Sequence, residues 1–253
     1  MQLLVDGSDP TYGNALVNYA SAIANMASIE RMSGGGGAPF DIRQQFLYNP
    51  DLEGSHFIIP GLVAVIMMMV CALLTSLTIA REKETDTMDV VLVSPVHPME
   101  ILVGKVAPYL VLALADAVFI LIFSKIVFDI PFRGDLMLLF GLSIIYMFCA
   151  LGMGLFISSV APSQQIAMMA ALVATILPSI LLSGFLFPIF SMPKIIQPFT
   201  YLIPARYYME IIRGILLKAS PFPLLVNQTI FLAILGTFFI VLATIVFRKK
   251  AGA

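Results

Sequence analysis

Charge is what this sequence has little of. Of 253 residues, 14 are basic and 15 acidic, or 11% in all, where soluble domains carry about 25%. So few charges cannot cover a surface that faces water. With 60% hydrophobic residues and a mean hydropathy of +0.98, the chain belongs in a bilayer. A net charge of -1 and the lack of any basic tract argue against a nucleic-acid partner. There are two cysteines, Cys71 and Cys149, each inside an apolar run, and they read as small core fillers, not as a disulfide framework or metal site. His56 and His97 stand alone, with no HExxH or other ligand spacing, so no metal is implied. GxxxxGK[ST] and GxSxG are absent as well, which leaves the chain no means of hydrolysing ATP and no visible catalytic constellation.

What is present is a series of long apolar runs. Crossing ~30 Å of hydrocarbon takes about 20 residues as a helix. Runs of that length fall near 57–80, 106–128, 136–160, 166–187 and 224–247. Turn residues separate them: Pro131 with Gly134, then Pro162, then Pro188, Pro193 and Pro198. Pro178 lies within the fourth run and is expected to kink it. The expected fold is an all-α integral membrane protein with five transmembrane helices. A polar N-terminal extracytoplasmic segment, 1–56, precedes the transmembrane domain, 57–253, and an outer-leaflet re-entrant helical region occupies 188–220.

Five spans put the termini on opposite sides. Arg248, Lys249 and Lys250 directly follow the last span and favour a cytoplasmic C-terminus. The loop 81–105 is then cytoplasmic and residues 1–56 lie outside. Within that outer segment a helix is expected from Asn14 to Met32, broken by the glycines after Ser33. Met1–Asp6 offers neither a basic n-region nor an apolar stretch that could export the segment. One more span before Met1 is therefore expected.

Eight charged residues gather in one loop: Arg81, Glu82, Lys83, Glu84, Asp86, Asp89, Glu100 and Lys105. With Glu82 to Val93 helical, Met88, Val91 and Leu92 form one apolar face, while Glu82, Asp86 and Asp89 point to water or a partner. Pro95 disfavours helical geometry at Ser94 and ends the helix there. Lys105 is placed to snorkel to the headgroups. Asp116, near mid-depth, is costly in lipid and so a functional candidate, either in an interhelical hydrogen bond or in lining and gating a path. Lys125, nine residues on, faces the other way. Ala150, Gly154 and Ser158 line one helix face. Such a small-residue stripe packs helices within a subunit or at a seam between subunits. Arg206–Glu210 and Glu210–Arg213 have pairing distances on a helix, with Tyr208, Ile211, Ile212 and Ile215 opposite, as in an amphipathic helix dipping into the outer leaflet.

Four stretches carry a resemblance that spans nearly the whole chain. These are "VDGSDP" with "YNP", "REKETDTMDVVLVSPVHPMEILVGK", "SGFLFPIFSMP" and "YLIPARYYMEIIRGILLK". In this order and at these separations the chain resembles the membrane subunit of type-2 ABC exporters, a permease family that includes drug-resistance and polysaccharide exporters. Asp86 stands where that family usually has Gly, Asp89 where it usually has Glu, and the family's first helix is not in this sequence.

The resemblance implies a permease subunit that forms the substrate path. Partners would be separate cytoplasmic ABC ATPase subunits, a second permease subunit (the same or different), the lipid bilayer and, as an open alternative, a periplasmic adaptor protein. It implies that Arg81, Glu82, Glu84, Thr87, Asp89, Ser94 and Pro95 form the ATPase-coupling region. Arg206, Glu210 and Arg213 would sit on an outer re-entrant helix, shaping a gate or simply capping the bundle. No cofactor is implied in this chain, since ATP and Mg would sit on the partner ATPase. The implied location is a bacterial inner membrane. The competing readings are a non-transporting membrane scaffold and a membrane-embedded enzyme.

Overall fold

A computed structural model describes residues 10–33, 54–85 and 98–251. The chain divides into two compact units, Met1–Ile58 and Ile59–Ala253. In the first, helix α1 runs Pro10–Ser33 and contains the helix expected from Asn14 to Met32. Leu16, Tyr19, Ile23 and Met26 recur at helical spacing along it and are exposed.

The remaining helices are α2 (Gly54–Glu84), α3 (Pro98–Phe128), α4 (Leu136–Val160), α5 (Gln164–Leu182), α6 (Gln197–Thr200), α7 (Pro204–Lys218) and α8 (Phe222–Ala251). Among the described residues, five helices are long and apolar enough to cross a membrane: α2, α3, α4, α5 and α8. The all-α membrane fold with five spans is thus what forms. Helix α5 continues through Pro178 and stops at Leu182, where Gly184 turns with a φ of +82°. The segment after it returns through one turn of 3-10 helix, Ile189–Ser191, and the short α6.

Helix α4 lies at the centre of the second unit, and two glycines explain how. Residues two apart on a helix point about 200° apart, so Gly152 and Gly154 open opposite faces. A Cβ on Gly152 would stand 2.9 Å from Ile240 Cγ1 of α8, whose own Gly236 would bring a Cβ to 3.2 Å from Cys149 Cα. A Cβ on Gly154 would overlap Thr75 Oγ1 of α2 and stand 2.5 Å from the Ala72 carbonyl oxygen. Gly154 and Ser158 of the stripe are therefore spent on α2 of the same chain, and Ala150 is buried in the same unit. Of the two roles open to it, packing within the subunit is the one that forms.

Polar bonds follow this close approach, since hydrocarbon offers backbone and hydroxyl groups no alternative partner. Thr75 Oγ1 donates to the Leu151 carbonyl at 3.1 Å, and Ser158 Oγ accepts from Ile79 N at 3.1 Å and Ala80 N at 2.9 Å. Tyr146 donates to the Ala64 carbonyl at 2.7 Å. Cys71 and Cys149 are free and buried in this core, the filling role expected of them.

Helix α7 presents its apolar residues to protein. Tyr208, Ile211, Ile212 and Ile215 are all fully buried. Tyr208 stacks on Tyr146 with ring centroids 4.0 Å apart, and its hydroxyl lies 2.7 Å from Ser143 Oγ. The amphipathic pattern is real, and its apolar side is covered by α4 and its neighbours. An αL residue, Ala219 at φ 51°, closes the helix and lets Ser220 N donate to the Gly214 carbonyl at 3.0 Å.

Candidate functional site

Of the charged residues of the 81–105 stretch, Glu82, Lys83, Glu84 and Lys105 meet at one end of the bundle, where α2 and α4 finish and α3 and α5 begin. The basic residues in the last turn of α2 are Arg81 and Lys83. Cations are favoured there by the helix dipole. Helix α2 carries on to Glu84, so its charged end is a direct extension of the span. Thr85 N closes it on the Arg81 carbonyl at 3.0 Å, and Arg81 itself is exposed. Thr87, Asp89, Ser94 and Pro95, with Asp86, lie outside the described residues, as does the apolar face of Met88, Val91 and Leu92.

Glu82 accepts from Lys105 at the start of α3, in an ion pair whose side chains are 24% and 18% exposed. The structure thus turns Glu82 toward α3, where a partner-facing residue was expected, and gives Lys105 a carboxylate in place of the headgroups. The pair joins the two limbs of the loop at its base. Reversing one charge should place like charges together and lower the unfolding temperature. Pairs that solvent reaches are worth about 0.2–1 kcal/mol, so Glu82→Lys should shift the melt by a few degrees in detergent. Adding Lys105→Glu should restore it; a double variant no more stable than the single one would show that the pair does not form.

Lys83 and Glu84 turn to the other side. Lys83 Nζ donates to the carbonyls of Ser158, Ser159 and Ala161 at 3.1, 2.9 and 3.0 Å, at the C-terminal end of α4. Glu84 Oε1 accepts from Gln164 N at 2.8 Å, and its other oxygen accepts from the Gln164 side-chain amide. Ser163 caps the same helix, accepting from Ile166 N at 3.3 Å. Sequence reasoning placed Glu84 among the partner-facing residues and assigned Lys83 and Gln164 no role. The one signal available was the short turn Ala161–Ser163, whose two helix ends need opposite charges.

The Glu82–Lys105 pair sets the antiparallel register of α2 and α3. Cys71 comes as far before Glu82 as Asp116 comes after Lys105. Asp116 is half-buried beside the buried Ala113 and Ala117, and within the described residues it makes no hydrogen bond. Phe119 and Phe123 follow on the outward side of α3, stacked at 6.4 Å. Lys125 lies over the Phe132 ring at 5.8 Å and pairs with Asp129 at 3.2 Å, far from Asp116 as the helical spacing required.

At the opposite end, Arg206 donates to Thr200 Oγ1 and lies 4.1 Å from the Tyr201 ring centroid. Glu210 accepts from Gln228 of α8 at 2.8 Å. The expected Arg206–Glu210 pair does not form, because the guanidinium finds an aromatic face and the carboxylate an amide on the next helix. Arg213 reaches the Gly184 carbonyl at 3.4 Å, joining α7 to the turn after α5.

The sequence matches the family described as ABC-2 family transporter protein over residues 1–245. The chain belongs to the ABC-2 family. It is 35% identical over 253 residues to the probable multidrug ABC transporter permease YbhS of Escherichia coli K12, covering 99% of this chain and 67% of that protein. Identity to the probable multidrug ABC transporter permease YbhR of the same organism is 33% over 232 residues, 90% of this chain and 62% of that one. ABC transporter G family member 20 of Dictyostelium discoideum is 27% identical over 170 residues, 67% of this chain and 23% of that protein. This chain spans about two thirds of the length of the E. coli relatives it matches. It is a multi-pass transmembrane permease subunit of an ABC exporter.

Proposed function

We propose that this permease is driven by separate cytoplasmic ABC ATPase subunits that dock on the 81–105 loop, and that two permease subunits together enclose the path. The observation that carries the reading is the construction of the loop's base. Glu82 in the last turn of α2 pairs with Lys105 in the N-terminal part of α3, while Lys83 and Glu84 join the same point to α4 and α5. A load applied to the loop therefore meets four spans at once. Thr87, Asp89, Ser94 and Pro95 are the residues proposed to meet the ATPase, and Asp86 adds a second carboxylate. The basic run Arg248–Lys250 after the last span supports a cytoplasmic C-terminus, with residues 1–56 on the outer side of a bacterial inner membrane. Since both E. coli relatives carry "multidrug" in their names, apolar drugs are the substrates to test first. ATP and Mg belong to the partner in this reading.

The two ends of the tied segment dictate which charges to alter. Glu82 and Glu84 already have partners inside the chain, so reversing them changes stability as well as docking. Asp86→Lys with Asp89→Lys avoids that confusion. In lipid, the double variant should insert normally and lower drug-stimulated hydrolysis by the partner ATPase about tenfold, within the usual 5–150-fold range of site coupling. Hydrolysis and co-purification equal to the unaltered protein would refute the docking role.

A further inference from the structure

Lys83 does something that docking alone does not require. The last carbonyls of a helix have no acceptor role within it and need an outside donor. Its ammonium group supplies that donor to three of them, on Ser158, Ser159 and Ala161 at the end of α4. The adjacent residue, Glu84, accepts from the first backbone N–H of α5, on Gln164. A cation at one helix's C-terminus and an anion at the next helix's N-terminus are both favoured by the helix dipole. Hydrogen bonds from charged groups are also roughly twice as strong as neutral ones. Helices α4 and α5 are separated here by Ala161–Ser163 alone. Two consecutive side chains of α2 thus hold both sides of one turn.

The hold extends inward. Ser158 Oγ accepts from Ile79 N and Ala80 N, and Gly154 lets the α4 backbone lie against Ala72 and Thr75. From Ala72 to Glu84, α2 has no stretch of a full turn without a bond or close contact to α4 or the turn after it. On the α3 side of the same segment, Glu82 pairs with Lys105.

We infer that Lys83 is a positioning residue that makes the α4–α5 turn move as one body with the end of α2. Displacement entering from the segment that joins α2 to α3 then reaches α4 and α5 as well as α2 and α3. This rests on the ATPase-coupled reading above. Removing the ammonium group leaves the acidic residues and the Glu82–Lys105 pair in place, and takes away the bonds of Lys83 to the carbonyls of Ser158, Ser159 and Ala161.

The test uses the full-length permease with its ATPase in lipid nanodiscs. Spin labels go on Thr85→Cys and Gln165→Cys, which are exposed, while Cys71 and Cys149 are buried. With Lys83 present, the label distance should be the same with and without ATP. In Lys83→Met it should broaden and shift on adding ATP, and drug moved per ATP hydrolysed should fall about tenfold. Lys83→Arg keeps the charge and the donors and should restore both readings, which a mere loss of folding would not allow. A Lys83→Met protein with unaltered distance and transport ratio overturns the inference. So does a distance that shifts with ATP when Lys83 is intact. An unaltered protein that binds no ATPase removes the docking reading and the transmission argument with it, even with the label distance fixed.

Discussion

Gly154→Val should prevent the permease from folding stably, and its effect should be the largest of any single substitution in α4. The added Cβ would overlap Thr75 Oγ1 and press on Ala72, whose carbonyl oxygen would be 2.5 Å and Cα 2.9 Å away. Backbone cannot rotate out of the way as a flexible side chain can, so α2 and α4 must separate. Separation breaks the Thr75–Leu151 bond and both donations to Ser158. Interhelical bonds in membranes average about 0.6 kcal/mol each, and overpacking adds about 1–3 kcal/mol, so a loss of several kcal/mol is expected. The measurement is the fraction of monodisperse protein recovered in detergent and its melting temperature. Gly154→Ala should be intermediate and Gly141→Ala nearly neutral, because a Cβ on Gly141 meets nothing within 4 Å. Equal stability of the Gly154→Val and Gly141→Ala proteins would contradict the packing described.

Tyr208→Ala should be the most damaging change in α7. The side chain is fully buried, stacks on Tyr146 at 4.0 Å and bonds to Ser143 at 2.7 Å. Truncating a buried aromatic residue to alanine costs about 3–5 kcal/mol, and here it would also remove the stacking partner of Tyr146. Tyr208→Phe keeps the ring and loses one hydroxyl, leaving Ser143 its bond to the Leu139 carbonyl at 2.7 Å. Its cost should be about 1 kcal/mol, the net worth of a typical hydrogen bond. Unfolding in increasing denaturing detergent should therefore rank unaltered protein, Tyr208→Phe and Tyr208→Ala in that order. A phenylalanine variant as unstable as the alanine one would mean that the hydroxyl, not the ring, holds α7 to α4.

Both predictions concern contacts between residues far apart in the chain, and this marks the limit of what the sequence could say. The number of spans, the all-α fold and the small-residue face Ala150, Gly154 and Ser158 were legible because hydropathy and helical period are local properties. The apolar side of α7 was legible for the same reason. What covered each face was not. Ala150, Gly154 and Ser158 suited a subunit seam as well as α2, and the choice depended on Ala72 and Thr75 lying opposite. Arg206 and Glu210 had the spacing of an ion pair, yet Tyr201 and Gln228 offered better partners once the chain had folded.

The charged stretch shows the division most clearly. By itself, the sequence determined that Arg81–Lys105 is rich in charge, lies between two long apolar runs and starts with a run of alternating charge. Only the tertiary structure decided that consecutive residues in this run serve different helices. Glu82 goes to α3, Lys83 to the end of α4 and Glu84 to the start of α5. The reason is physical: successive residues on a helix point about 100° apart, so neighbours in sequence face different elements. Which elements stand there depends on how closely α2 and α4 can approach, and Gly154 sets that distance.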